Sequence, residues 1–127
     1  AKIVLTGNPL RGRFSKEGAD RAEALEYYGL TPDLPVILVV GVKLGCINHA
    51  MLTAHAIQQS GLRLAGWIAN DVVEPGKRHQ EYLTTLRRVI PAPCLGEIPW
   101  LADGAENADT GRYLDLSVLL PATSSAR

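Results

Sequence analysis

Gly7 and Gly12 bracket four residues after the strand-like run Ile3–Thr6, and Arg13 follows at once. A strand, a glycine, four residues, a glycine and a basic side chain nearly make a triphosphate-binding loop, in which backbone N–H groups face the phosphates, a lysine reaches the terminal ones and a Ser or Thr holds magnesium. Pro9 has no N–H to give, and Phe14 stands where the magnesium ligand belongs. An ordinary strand-to-helix loop is therefore expected here. Gly45, Cys46, Ile47 and Asn48 open an apolar-periodic stretch, and free N–H groups at such a helix start favour an anion. Asn70 closes a third apolar run; its amide both donates and accepts, which suits a purine edge or simply caps a loop. Cys46 and Cys94 are isolated, without a C-x-x-C spacing, and read as free thiols in a reducing compartment. No metal site and no catalytic residue emerges from these spacings.

The elements that must position these groups alternate. Ile3–Thr6 reads as a short strand, and Ser15 caps a helix over about Lys16–Tyr28 that Gly29 stops. Thr31-Pro32-Asp33 is a turn before Val36–Val40, an unbroken apolar strand of the kind buried on both faces. After a Gly41–Gly45 loop, Ile47, Ala50, Met51, Ala54 and Ile57 recur at helical spacing up to Gly61. Leu64–Ala69 is the next strand, Asp71–Lys77 a loop, His79–Val89 a helix, Cys94–Ile98 a fourth strand and Tyr113–Leu120 a last short helix. This alternation predicts an α/β fold, three-layer αβα, with a mainly parallel four-stranded sheet and helices on both faces, a Rossmann-like or P-loop-like half-domain. Strand C-terminal ends, and with them any ligand site, gather along one edge: Gly7–Gly12, Gly41–Gly45, Asn70–Lys77 and Pro99–Asn107.

With 127 residues, 46% of them hydrophobic, the chain reads as a single domain over 1–127 with a frayed 121–127 tail. Thirteen basic and thirteen acidic residues cancel, which argues against a nucleic-acid or membrane partner, and no apolar run approaches the ~18 residues of a membrane span. A cytoplasmic location is expected.

The stretch LPVILVVGVKLGCINHAMLTAHAIQQSGLRLAGWIANDVVEPGKRHQEYLTTLRRVIPAPCLGEIPWL resembles the C-terminal half of the bacterial dethiobiotin synthetase family, and the resemblance continues over roughly Leu34–Leu120. That family forms the ureido ring of dethiobiotin from a diaminopelargonate, carbon dioxide and ATP with magnesium, as a homodimer. The resemblance implies that Asn70 reads adenine, that Pro99, Trp100 and Leu101 pack around the adenosine, and that Glu106 lies by the ribose. It also implies that Gly45, Cys46, Ile47 and Asn48, with Tyr82, hold the substrate carboxylate across a dimer, to which Met51, Ile57 and Leu86 would contribute apolar contacts. Read without the family, Asn70-Asp71 caps a loop and Trp100 is core. The family's Gly-Lys-Thr loop, its catalytic lysine and its Glu-Gly-Ala-Gly-Gly magnesium segment do not occur in the chain, so no cofactor is required and ATP with magnesium enters by resemblance alone.

Residues 1–34 are similar to something else. TGNPLR, a helix, and then LTPDLPVILVVG resemble the start of the C-terminal domain of the peptidoglycan UDP-GlcNAc glycosyltransferase family, in which the matching arginine, here Arg11, contacts the nucleotide sugar. The two resemblances meet at a shared strand. Together they imply a chimera, glycosyltransferase-like over 1–34 and synthetase-like over 35–120, without native catalytic activity, forming a homodimer or larger oligomer. The alternative is a weak purine-nucleotide-binding remnant.

Overall fold

The computed structural model describes residues 2–4, 22, 26–27, 29, 31, 33–103 and 108–120. Strands β2 (Val36–Val42), β3 (Leu64–Asp71) and β4 (Cys94–Ile98) form a parallel sheet, and β1 (Lys2–Val4) runs parallel to β2 in the register Lys2 to Val36 through Val4 to Leu38. Helix α1 (Cys46–Gln59) crosses from β2 to β3, and α2 (His79–Val89) from β3 to β4. Spatial order follows chain order. Right-handed crossovers that always step the same way leave their helices on one face of a sheet. Accordingly Cys46, Ala50 and Ala54 of α1 and Leu83 and Leu86 of α2 share a core cluster with Leu38, Val40, Val42, Trp67 and Ala69. Trp67, Leu83 and Leu86 are almost completely enclosed there.

The opposite face is covered differently. Ile37, Ile68 and Leu95 form a second cluster against which Val39, Ile98, Leu114 and Leu119 pack. Its outer layer is the C-terminal segment, with 3-10 turns at Thr110–Tyr113 and Ser117–Leu119. Between the turns, Leu114 makes an antiparallel bridge to Gly96, and the Asp115 N–H donates to the Leu95 carbonyl at 2.7 Å. Helices, sheet and this turn-rich strap make three layers.

Glycine is required at two places. Gly61, at φ 72°, ends α1: its N–H donates to the Gln58 carbonyl and the Leu62 N–H to Ile57, a Schellman closure that satisfies two orphan carbonyls. Gly96, at φ 152°, sits in β4, and a Cβ there would overlap the Tyr113 carbonyl oxygen and come within 3.1 Å of Leu114 Cα.

Gly96 also marks a break in register. Trp67 pairs with Cys94, but Ile68 pairs with Gly96 and Ala69 with Glu97, so Leu95 is an extra residue. A one-residue bulge reverses the alternation of side chains beyond it. Cys94 faces the helices and Leu95 the strap; after the bulge Glu97 faces the helices and Ile98 the strap.

Several sequence expectations change. Both described α-helices lie on one face rather than on opposite faces. The first two long strands run two residues further, to Val42 and Asp71, so Gly41 and Asn70 are strand residues. Tyr113–Leu120 is two 3-10 turns rather than one helix, because Leu114 and Asp115 are committed to β4. Ile57 and Leu86 are core residues, and only Met51 of the three apolar contact candidates is exposed. Of the helix expected over Lys16–Tyr28, Ala22, Glu26 and Tyr27 are helical; its other residues and the Gly7–Gly12 loop lie outside the described residues.

Candidate functional site

Two clefts open beyond the C-terminal ends of the strands. The first, about 510 Å³, is lined by Asn70, Asp71, Val72, Ile98, Pro99, Trp100, Leu101, Ala102 and Thr110. It gathers four side chains singled out in the sequence. Asn70 is half-buried near the end of β3, where alternation turns it toward the strap side while Asp71 turns toward the helices. Pro99 and Leu101 are half-buried, and Trp100 is 43% exposed, so the indole is not core. An amide beside an exposed indole and two aliphatic side chains suits a flat, heteroatom-edged ring: the amide meets the edge and the indole the face.

The second cleft, about 330 Å³, is lined by Val42, Lys43, Leu44, the Val73–His79 segment and Tyr82. Gly45, at φ 89°, precedes α1 without a side-chain cap, and no acidic residue occupies the helix's first turn. The Cys46 N–H is taken by the Lys43 carbonyl and its side chain is buried. Ile47 and Tyr82 both pack against the helix-side core. Asn48 instead lines a groove along the outer side of α1 with Met51, Leu52 and His55. The structure thus separates the Asn48 and Tyr82 side chains into different grooves. Arg11 and Glu106 lie outside the described residues.

Sequence reasoning missed a polar cluster between the two clefts. His79, the first residue of α2, places Nε2 2.7 Å from Glu97 Oε1 and 3.4 Å from Asp71 Oδ2. Asp71 borders the first cleft and His79 the second. The Asp71 side chain is only 2% exposed, and its Oδ1 has no hydrogen-bond partner among the described residues. Burial pushes the Asp71 carboxyl up to about 6; the His79 imidazole opposes this, while the Glu97 charge and a hydrogen bond to Glu97 reinforce it. Glycine within a strand was the signal available, because it marks a bulge that re-aims its neighbours.

Among the described residues no helix is long and apolar enough to cross a membrane. The family model described as "AAA domain" matches residues 31–108. Over 86 residues, 68% of this chain and 38% of the relative, the sequence is 74% identical to the ATP-dependent dethiobiotin synthetase BioD 1 of Escherichia coli strain K12. It is 69% identical over 94 residues to the BioD protein of Pseudescherichia vulneris, and 60% identical over 98 residues to that of Yersinia pestis bv. Antiqua, covering 39% and 41% of those proteins. The chain thus spans about two fifths of the length of these relatives.

Proposed function

The chain belongs to the AAA domain family, and on that premise we propose that it is a biotin-biosynthesis ATP-binding domain whose first cleft receives the adenosine end of the nucleotide. The convergence of Asn70, Pro99, Trp100 and Leu101 on one cleft is the observation that carries the reading. Similarity to proteins named ATP-dependent dethiobiotin synthetases supports the choice of nucleotide. In this reading Asn70 answers the purine edge, Trp100 stacks on its face, and Pro99 and Leu101 close around it. Magnesium would accompany the phosphates. No Gly-Lys-Thr loop occurs in the chain to receive them, so the proposal assigns adenosine binding to these residues and no turnover.

Magnitudes set the expected affinity. Taken at their upper ends, the two hydrogen bonds of the amide net about 3 kcal/mol, base stacking about 3 kcal/mol and apolar packing by Pro99 and Leu101 about 2 kcal/mol, against an association cost of at least ~4 kcal/mol. The balance lies near −4 kcal/mol, a millimolar dissociation constant. Adenosine and ATP are therefore expected to bind about equally, with Trp100 fluorescence quenched and the Asn70 and Trp100 amides shifted in an NMR titration. Trp67, fully enclosed, should not respond. Asn70→Ala should abolish the shifts. An unchanged spectrum at ~5 mM adenosine, above the affinity estimated here, would sink the reading.

A second reading is favoured by the start of the family match at residue 31, which leaves the glycosyltransferase-like TGNPLR segment, Arg11 included, outside it. It takes the chain as a chimera with Lys2–Val4 as a grafted fourth strand and no native catalytic activity. In either reading we propose a second copy as partner, whose boundary takes in the α1 start at Gly45–Asn48, with Asn48 on one groove and Tyr82 on the neighbouring one. Leu44, Met51 and Leu52, exposed around the start and outer side of α1, supply the apolar contact. Sedimentation at high micromolar concentration should give twice the 13.7 kDa of one chain; a clean monomer would remove this proposal.

A further inference from the structure

We propose that Asp71, His79 and Glu97 form a site for one divalent transition-metal ion of the zinc type, set between the nucleotide cleft and the α2 N-terminus. Three elements deliver the donors: the last residue of β3, the first of α2 and the strand beyond the β4 bulge. One ligand atom from each lies within 4.8 Å of the others. An imidazole nitrogen with two carboxylate oxygens is a donor set for zinc, cobalt or nickel, whereas magnesium prefers an all-oxygen, largely hydrated shell.

The spacing fits. Bonds of about 2.0–2.1 Å in tetrahedral geometry hold neighbouring ligand atoms ~3.3 Å apart. His79 Nε2 and Asp71 Oδ2 stand 3.4 Å apart already. The His79–Glu97 contact, 2.7 Å as a hydrogen bond, must open by ~0.6 Å to reach the same spacing. Glu97 can supply that motion because its side chain is 32% exposed. The independent sign is Asp71, 2% exposed: its Oδ1, beside the Oδ2 that faces His79, has no hydrogen-bond partner among the described residues. A buried charged oxygen without a donor is costly, and a cation held by both oxygens of the carboxylate removes that cost. Two carboxylates and a neutral imidazole balance an M²⁺ ion, and any proton shared between the carboxylates leaves to solvent as the ion enters.

The test uses the full chain stripped with EDTA, and the metal alone. Calorimetric titration with zinc chloride near neutral pH should give one site per chain, with magnesium chloride giving no heat at the same concentration. Asp71→Asn and His79→Gln should each weaken zinc at least ~10-fold, a loss that outer-shell residues alone reach, with α1 helicity unchanged by circular dichroism. Cobalt added to the ¹⁵N-labelled native chain provides the localisation without a variant: the amides of Asp71, His79 and Glu97 should broaden first. Zinc binding that survives Asp71→Asn, broadening centred on His49, His55 or the cysteines, or no zinc heat at all would each overturn the site.

Discussion

Gly96→Ala is expected to destabilise the chain by about 3 kcal/mol or more, near the upper end of single substitutions. The added Cβ runs into the Tyr113 carbonyl oxygen, a backbone atom that no rotamer change moves. The backbone angle of 152° adds strain for any L side chain. Relief requires the Thr110–Leu114 segment to lift from β4, breaking the Leu114 bridge and the Asp115–Leu95 hydrogen bond. Urea unfolding should show the loss as a lower midpoint, together with greater solvent exposure of Leu95. Gly66→Ala is the internal comparison. Its Cβ would meet Leu95 side-chain atoms at 2.8–2.9 Å, and a side chain can turn where a carbonyl cannot, so a smaller loss is expected. Equal losses at the two sites would show that the bulge is not what makes Gly96 indispensable.

Asp71→Asn should have the opposite sign, and a pH-dependent size. The Asp71 carboxyl titrates near 6 in the folded chain against an ordinary value of 3.8. Between those values the folded state binds more protons than the unfolded one, so this group's contribution to stability falls as pH rises from about 4 to about 6 and is constant above. A shift of this size corresponds to about 3 kcal/mol. Asparagine mimics the neutral acid and can still donate to Glu97. With EDTA present, Asp71→Asn should therefore exceed the native chain by about 1–3 kcal/mol in urea unfolding at about pH 8, and the gap should close toward pH 4. Asp33 and Asp115, whose carboxyls are held below the ordinary range by hydrogen bonds to Thr31 and Ser117, respectively, are present in both chains and cancel. A gap independent of pH, or a less stable variant at pH 8, would show that the carboxylate is not held at a cost.

Periodicity made the frame legible. The apolar run at Val36, the 3.6-residue spacing of Ala50, Ala54 and Ile57, and the stops at Gly61 and Pro91 each report on neighbours in the chain. Alternation places the segments that carry Asn70 and Pro99–Leu101 on one edge, because each ends or follows a parallel strand, while the grouping of these four side chains comes from the family resemblance. Other features depend on pairings that the sequence does not display. Strict alternation through Cys94-Leu95-Gly96-Glu97 puts Glu97 on the strap face, away from His79; the bulge reverses that, and only the register shows it. Tyr113–Leu120 has enough apolar residues for a helix. Yet the Asp115 carboxylate accepts from the Ser117 N–H at 3.0 Å and from its hydroxyl at 2.6 Å. Such local bonds compete with helical ones. The shared face of the two described helices has a topological reason: strand order decides which side each crossover covers, and a list of elements does not contain it.

The strap has one more consequence, for encounters between chains. Among the described residues β4 is the last strand on its side of the sheet, and the outer rim of a parallel sheet is an open template on which a foreign strand can add. Here the rim is already engaged at its middle, where Gly96 pairs with Leu114 and the Leu95 carbonyl receives Asp115. The bulge also bends the rim out of the flat geometry that strand addition needs. A glycine that lets the strap approach thus shields this sheet margin from the runaway pairing that ends in fibrils.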